Sequence, residues 1–417
     1  MKKTMFFVMM LVATMFFVPN VFAAGEEAMI GDDTYATLSL AIENADKEDV
    51  IKLQKNVTLT STLTISKEVT IDLNGFNIEK DNTVIIVDGG KLTLTGEGTI
   101  KETAPDNAGV KLYGANSKTD EVYSYLSVGK DVTIEAWAPV FISIKQNSKA
   151  AYGVDVDVYG KLVSKKDTNN EMGNGLYING TIQDKECYPT VEIHDGTVIE
   201  SEGFGMYLAG YADVKVGKAT INAADTGIAI KAGKLALNGT IVKASGKAND
   251  PITNNNGING VGAAIQIESN ATKKEGVASY AGDIEITING GKYESENNSA
   301  IVEYLADKEE ETSVKDIKIT DGEFIAALDK DVIEASDEFK EENTKFVSGG
   351  TFSSSVKEYL AEGVIEGSEE DNYKVVEEVK DNTENPNTSD INIISMVLVL
   401  LLGVLGLAFT VSKRRFN

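Results

Sequence analysis

The segment VTIDLNGFNI, residues 69–78, combines the signals for a strand, a sharp bend and a second strand. Val69, Ile71 and Leu73 alternate with polar residues, and a period of two is typical of a strand with one buried face. The dipeptide Asn-Gly then interrupts the alternation, and it is a strong turn signal because both residues tolerate a positive φ. We expect the three apolar side chains to point into a core and the chain to bend at Asn74.

The same form recurs along most of the chain, as apolar, any and apolar residues, then turn residues with Gly, then apolar residues again. The repeats are VDVYGKLV (156–163), LYINGTI (176–182), VEIHDGTVI (191–199), VKVGKATI (214–221), LALNGTI (235–241), IEITINGGKY (284–293) and IKITDGEF (317–324). Successive glycines at 160, 180, 196, 217 and 239 lie 16 to 22 residues apart, which is the period of a solenoid coil. A flat antiparallel sandwich, the competing architecture, would need turns about every 8 to 12 residues. The spacing predicts an all-β parallel β-helix over residues 25–376.

Two further features of the repeats concern stacking. The Asn-Gly bend recurs at positions 74, 179, 238 and 289, and we expect these asparagines to stack from coil to coil as a hydrogen-bonded ladder. The polar run GKANDPITNNNGING, residues 246–260, predicts a loop that leaves one coil. The residues expected inside are Val69, Ile71, Leu73, Leu235, Leu237, Ile284, Ile286, Ile288, Ile317 and Ile319.

Both ends of a solenoid need caps, because their apolar coils would otherwise face water. In TLSLAIENA, residues 37–45, apolar residues recur at helical spacing, which predicts a short helix over the first coil, with DVIKL (49–53) as the first strand. In SVKEYLAEG, residues 355–363, a capping box from Ser355 to Glu358 and a terminal glycine predict a second short helix.

The first residues of the chain have the pattern of a secretory signal peptide. MKK is a basic region, TMFFVMMLVATMFFV is apolar, and PNVFAA supplies a helix breaker and small residues. We expect a signal peptide at residues 1–24, cut by signal peptidase after Ala23 or Ala24. An uncleaved membrane anchor is the alternative.

The last residues have the pattern of a membrane span. Residues 393–411 are 19 residues without a charge, about the number that crosses roughly 30 Å of hydrocarbon. Lys413, Arg414 and Arg415 follow, and such a basic membrane stop places the C-terminus in the cytoplasm. We expect an acidic linker at 377–390, one transmembrane helix at 391–412 and a cytoplasmic tail at 413–417. A buried core helix is the alternative.

Composition restricts the function. The chain has 65 acidic and 39 basic residues and a net charge of −26, so nucleic acid, itself a polyanion, is not an expected partner. The single cysteine, Cys187, cannot form an intramolecular disulfide.

His194 is the only histidine, and we expect it to point outward beside a turn without a catalytic partner. Asp155 and Asp157 also alternate onto the outer face, where they either bind Ca²⁺ loosely or remain solvated.

Aromatic residues give a weak indication of a ligand. Tyrosine and tryptophan have an apolar face and a polar edge that suit sugar rings. The candidates are Tyr113, Tyr123, Tyr125, Trp137, Tyr207 and Tyr211, but their spacing shows no register from coil to coil, so we expect packing or ordinary surface positions.

Two segments resemble a known kind of domain. Residues 34–78, TYATLSLAIENADKEDVIKLQKNVTLTSTLTISKEVTIDLNGFNI, and 346–364, FVSGGTFSSSVKEYLAEGV, resemble the opening and closing segments of right-handed parallel β-helix domains on Gram-positive surface proteins, of pectin-lyase-like architecture. The resemblance covers about residues 30–376 and implies a right-handed coil. The arginine of pectate-lyase chemistry is missing before Arg414, and no Gly-His-Gly motif like that of polygalacturonases is present.

The segment NPNTSD, residues 385–390, resembles a cell-wall sorting signal, whose commonest form is Leu-Pro-any-Thr-Gly. The resemblance implies that a sortase cuts between Thr388 and Ser389 and joins the Thr388 carboxyl to peptidoglycan. Pro386 and Asn387 fit the pattern, whereas Asn385 and Ser389 depart from it and leave the sortase class open. A permanent single-pass membrane protein is the alternative.

Two function classes follow from these observations. The first is a non-catalytic protein of the Gram-positive cell wall and surface, for adhesion, ligand binding or envelope structure, with an external ligand such as a glycan or host protein. The second is a wall-tethered polysaccharide lyase or glycoside hydrolase, since two suitably spaced carboxylates suffice for glycoside hydrolysis. We expect the first class, with no catalytic residue, metal or cofactor.

Overall fold

The segment at residues 69–78 folds as its pattern predicts. In the computed structural model the strand Glu68–Asp72 leads into a bend where Asn74 has a φ of 52° and Gly75 a φ of 86°. The strand Ile78–Lys80 follows, and the three alternating apolar side chains before the bend are buried. The structure describes residues 25–118, 123–145, 148–169, 171–251, 253–254, 257–269, 282–305 and 312–378.

Each coil contributes one strand to each of three stacks of parallel strands. The first stack contains Val50–Leu53, Glu68–Asp72, Lys91–Thr95, Ser124–Val128, Val154–Val158, Thr190–Ile193 and Asp213–Val216. The second contains Val57–Thr58, Ile78–Lys80, Gly98–Glu102, Val132–Ala136, Lys161–Ser164, Val198–Ser201, Thr220–Ala223 and Thr351–Phe352. The third contains Leu63–Ile65, Ile85–Asp88, Ala108–Tyr113, Ala138–Ser143, Asn174–Ile178, Phe204–Leu208, Ile228–Ile230, Ile265–Ser269, Ile301–Leu305 and Ile333–Glu334.

Three long strands pass through the first bend without interruption and join the first two stacks into one sheet. They are Gly233–Ala244, Ile284–Ser295 and Val314–Ile325. Their pairing with each other is parallel. The protein is therefore an all-β solenoid with long parallel sheets, and the antiparallel sandwich is excluded for the described residues.

Inward side chains from all three stacks form one continuous apolar core. All ten residues predicted to lie inside are buried, with exposures of 5% or less. Alternate positions of each strand face the core, so that successive coils place aliphatic side chains on top of one another. Burial of each such side chain contributes about 1.5–3 kcal/mol before entropy losses are counted.

The N-terminal cap agrees with the prediction in its helix and differs in its strands. The helix Leu38–Asn44 begins after Thr37, whose side chain accepts a hydrogen bond from the Leu40 N–H, and its apolar face is buried. The strand Val50–Leu53 was expected to come first, but Ala28–Ile30 and Asp33–Tyr35 precede it as an antiparallel hairpin. This hairpin covers the exposed edge of the first coil.

The C-terminal cap is built differently from the prediction. The expected capping box is wrong, because the Ser355 hydroxyl donates to Glu366 at 2.8 Å and residues Lys357–Tyr359 form only a 3-10 turn. The helix at this end is instead Asp337–Glu342, whose Phe339 is buried. A second 3-10 turn, Glu369–Asp371, and the antiparallel strands Val364–Glu366 and Val375–Glu377 complete the cap.

The Asn-Gly positions do not all belong to one ladder. Asn238 and Asn289 lie in register at the bend between the first and second stacks, and Asp321 follows Asn289. Asn179 lies instead after a third-stack strand, where its side chain accepts hydrogen bonds from Thr181. The expectation that it shares the ladder is wrong, because the same dipeptide serves two different bends.

The remaining predicted segments have different outcomes. The polar run 246–260 leaves its coil between the second and third stacks and contains the antiparallel pair Thr253–Asn254 and Gly257–Ile258. The signal peptide, the sorting signal, the membrane span and the basic tail lie outside the described residues. Within the part of the chain that the structure describes, no helix is long and apolar enough to cross a membrane.

Candidate functional site

The residues predicted to direct processing and anchoring are not among those that the structure describes. They are Ala23, Ala24, Asn385, Pro386, Asn387, Thr388, Ser389, Lys413, Arg414 and Arg415. The site described below therefore consists of solenoid residues only.

Charged side chains align from coil to coil on the outer face of the first stack. Asp157 is in register with Glu192 in the next coil, and Glu192 with Lys215 in the coil after that. The Lys215 ammonium lies 3.5 Å from a Glu192 carboxylate oxygen. Since adjacent parallel strands are about 4.8 Å apart, outward residues in register form a continuous polar row.

His194 lies at the end of this row and has two partners in the preceding coil. Its backbone N–H donates to the Val158 carbonyl at 2.9 Å, and its side chain points outward as predicted, with 27% of it exposed. The Nε2 atom lies 2.6 Å from Asp157 Oδ1. The imidazole also stacks on the Tyr159 ring, with centroids 3.9 Å apart and planes within 9°. Neither partner is a serine or cysteine, so these contacts do not bear on the expectation that His194 lacks a catalytic partner.

Asp157 is held from its other side by a tyrosine. The Tyr125 hydroxyl donates to Asp157 Oδ2 at 2.9 Å, so both carboxylate oxygens have a partner. Burial raises the pKa of Tyr125, and the hydrogen bond to Asp157 raises it further. The phenol therefore remains a donor throughout the neutral range. Asp155, two residues earlier on the same face, accepts a hydrogen bond from Thr190 instead.

A groove lies beside the imidazole, and the next residue in its column is Gly217. Strand pairing places Gly217 beside His194 in the following coil and Asn238 beside Gly217 one coil further. The groove has a volume of about 370 Å³. We name it the His194 groove, and its lining residues are Tyr159, Glu192, Ile193, His194, Asp195, Lys215, Val216, Gly217 and Asn238.

The lining of the His194 groove suits a ligand rich in hydroxyl groups. Tyr159 supports one face of the imidazole, and Gly217 lines the groove, with the Asp195 carboxylate at the position that a Cβ on Gly217 would take. Glu192 supplies acceptor oxygens, Lys215 supplies N–H donors, and the Asn238 amide supplies both. A ring with an apolar face and polar edges can stack on the imidazole while its hydroxyls bond to these groups.

A second groove with aromatic residues is less suitable. It has a volume of about 320 Å³ and contains Tyr188 and Tyr211. Both rings pack against the core, and the Tyr211 hydroxyl already accepts a hydrogen bond from the Asp283 N–H at 3.1 Å. Because both tyrosines pack against the core, we favour the His194 groove as the candidate ligand site.

Other aromatic residues form a ladder on the outer face of the third stack. Phe141, Tyr177 and Tyr207 are in register in successive coils. The first two rings stack with centroids 4.5 Å apart and planes within 3°, and the next pair is 5.5 Å apart. Tyr207 is the one member of this ladder among the six aromatic candidates, and its two ladder partners, Phe141 and Tyr177, are not among them. Phe141 and Tyr177 cover each other's faces, Tyr207 contacts Tyr177 at a tilt of 50°, and Tyr207 is only 6% exposed. The ladder therefore packs adjacent coils together.

Sequence reasoning missed most of this arrangement. The ladder could have been found by aligning GLYI, residues 175–178, with GMYL, residues 205–208. The contact between His194 and Asp157 joins residues 37 positions apart, and no local pattern indicates it. No protein-family model, curated protein or solved structure matches this chain.

Proposed function

We propose that this chain is a surface protein of a Gram-positive cell wall that binds carbohydrate in the His194 groove without altering it chemically. The observation that carries the proposal is the imidazole backed by Tyr159 in the lining of a groove of about 370 Å³. Acceptors and donors from Glu192, Lys215 and Asn238 surround that groove. A sugar ring, which has apolar C–H faces and hydroxyl edges, can stack on the imidazole while its hydroxyls bond to these groups.

The proposal includes the handedness and family of the solenoid. We take it as a right-handed parallel β-helix of pectin-lyase-like architecture. The three stacks of parallel strands support this, as do the capping elements at the two segments that carry the resemblance. Such a coil displays long outer faces, on which a groove remains accessible to a large external glycan.

Anchoring is the other part of the proposal. Signal peptidase would release the chain after Ala23 or Ala24, and a sortase would join Thr388 to peptidoglycan. The pattern NPNTSD, followed by an uncharged segment and three basic residues, supports this route. The residues directly upstream of Asn385 are mostly acidic or polar, which matches the acidic linker expected before the sorting signal.

A glycan array tests the binding proposal. The untagged full chain in mild detergent should bind a restricted set of host or wall glycans, and His194→Ala should reduce the signal for that set. Asn238→Ala should weaken binding because it removes an amide from the groove. Asn289→Ala, the same change one coil further along the same column, is the matched control and should bind normally. Equal loss in both asparagine variants would contradict this location.

A polysaccharide hydrolase remains a second candidate because of one observation. Oxygen atoms of Asp157 and Glu192 lie within 4.8 Å of each other, close to the spacing of about 5 Å between the carboxyl groups of retaining glycosidases. However, Tyr125 and His194 occupy both oxygens of Asp157, and Lys215 pairs with Glu192. Neither carboxyl lies in the apolar pocket that a general acid requires. Incubation with the bound glycans should yield no new reducing ends, and their appearance would establish the enzyme instead.

A further inference from the structure

We propose that Asp157, Glu192 and His194 together bind one divalent transition-metal ion, for which Zn²⁺ is the appropriate probe. Each residue offers one ligand atom, and these atoms all lie within 4.8 Å of one another. The site goes beyond carbohydrate binding, since uptake of the ion is measured without any glycan.

The three ligands come from two adjacent coils, so the fold itself brings them together. Asp157 lies on the strand Val154–Val158, while Glu192 and His194 lie on or directly after Thr190–Ile193. Zinc binds imidazole nitrogen and carboxylate oxygen at about 2.0–2.2 Å. The present contact of 2.6 Å between Nε2 and Oδ1 must therefore widen so that the ion fits between them, which requires small rotations of these two partly buried side chains.

Neighbouring groups already orient two of the ligands. Tyr159 stacks on the imidazole and restricts rotation of the ring. Tyr125 donates to Asp157 Oδ2 and leaves Oδ1 directed at His194. Such outer contacts hold ligands in position in known metal sites and raise the affinity for the metal. Glu192 is less restricted than the other two ligands, because its ion pair with Lys215 is exposed. Metal binding by Glu192 would break this ion pair.

The chemistry of the ligands favours zinc over calcium. Ca²⁺ takes six to eight oxygen ligands, whereas this cluster offers one nitrogen and two carboxylates. Imidazole suits Zn²⁺ and its neighbours in the first transition row. Three protein ligands with one remaining position correspond to an open tetrahedral site. The only histidine of the chain is thus the group that distinguishes this cluster from the many exposed carboxylates.

Calorimetric titration of the untagged full chain with Zn²⁺ tests the site. We expect one tight site per chain, about tenfold weaker or worse in Asp157→Asn and in His194→Ala. Asp155→Asn is the matched control, because it removes a carboxylate from the same face of the same strand and should leave the affinity unchanged. The imidazole proton signals in the NMR spectrum should shift with the same titration.

Three results would overturn the proposal. The first is equal Zn²⁺ affinity in the wild type and in Asp157→Asn. The second is saturation of the tight site with the imidazole signals unmoved. The third is displacement of Zn²⁺ by equimolar Ca²⁺. Each would assign the bound ion to exposed carboxylates elsewhere. Circular dichroism of each variant should show an unchanged strand signal, so that loss of binding is not a result of unfolding.

Discussion

Glu303 makes the stability of this solenoid depend on pH. It is 4% exposed and accepts hydrogen bonds from the Ser269 hydroxyl at 2.7 Å and from the Ser336 hydroxyl at 2.6 Å. Burial raises the pKa of the Glu303 carboxyl, although these hydrogen bonds oppose the shift. Burial disfavours the charged form of a carboxyl, so the folded protein is more stable when Glu303 is protonated.

The sign of the effect follows from linkage between protonation and folding. The folded pKa of Glu303 lies above the unfolded value of about 4.3. The stability that protonated Glu303 contributes is therefore fully present below the unfolded pKa. It is lost as pH rises through the folded pKa. Glu303→Gln imitates the protonated acid, so its free energy of unfolding should fall less between pH 4 and pH 7 than that of the wild type. Urea unfolding at several pH values measures this.

Glu370→Gln is the control for Glu303→Gln, because Glu370 is exposed. Its profile should follow the wild type over the whole pH range. Identical pH profiles for the wild type and Glu303→Gln would contradict the assignment of a raised pKa to Glu303.

Single residues also show where prediction from sequence stops. The outward direction of His194 follows from alternation with buried Val191 and Ile193, and the structure confirms it. The contacts of His194 with Asp157 and Tyr159 could not be predicted from this alternation. Both residues lie in the preceding coil, and their position relative to His194 depends on the length of the loop between the coils. That loop has no repeat to fix its length, so the register could not be predicted.

Glycines at the beginning of the third-stack strands allow the coils to approach closely. Gly175 and Gly205 are the second residues of their strands, and Gly227 directly precedes the strand of the next coil. A Cβ atom on Gly205 would lie 2.3 Å from Ile221 Cγ2 and 2.5 Å from the Gly227 carbonyl oxygen. A residue with a side chain would therefore push neighbouring coils apart.

Gly205→Ala should destabilise the protein by about 3 kcal/mol, the upper part of the range for overpacking. Gly196→Ala is the matched comparison, because Gly196 has a φ of 87° but nothing within 4 Å of an added Cβ. It should cost only about 1 kcal/mol, from backbone strain. Urea unfolding measures the free energy of unfolding of both variants. A larger loss of stability for Gly196→Ala than for Gly205→Ala would contradict this account of the close approach at Gly205.

The elements divide into those that a local pattern specifies and those that it does not. The helix Leu38–Asn44 was predictable because its apolar residues follow a helical period. The hairpin of Ala28–Ile30 and Asp33–Tyr35 was not, because three-residue strands are too short to show alternation. The capping box failed at Ser355 because Glu366, eleven residues away, competes for its hydroxyl.

The whole molecule was predictable as a stack of parallel strands because the period of about 20 residues recurs many times. A repeated pattern averages out local errors, so misplacing Asn179 or the caps did not change the architecture. The His194 groove was not predictable, since its lining residues come from four successive coils. A site made by several coils carries no continuous motif.

Covalent anchoring is testable through Thr388. Muralytic digestion should release the protein with peptidoglycan fragments on Thr388, and Thr388→Ala should remain in the membrane fraction, because the proposed sortase bond involves this carboxyl. Asn387→Ala is the matched control, since the sorting pattern accepts any residue there, and it should be released normally. Recovery of Asn417 in most of the wild-type protein would show a permanent membrane anchor instead.

The imidazole of His194 gives the most direct test of carbohydrate binding, because the chain has only one histidine. In untagged protein, its Cε1–H proton therefore gives a proton NMR signal that needs no assignment. Titration with a glycan selected by the array should move this signal progressively to a plateau, with the same Kd as calorimetry gives on that sample. A glycan that reaches saturation by calorimetry while the signal stays in place would contradict binding in the His194 groove.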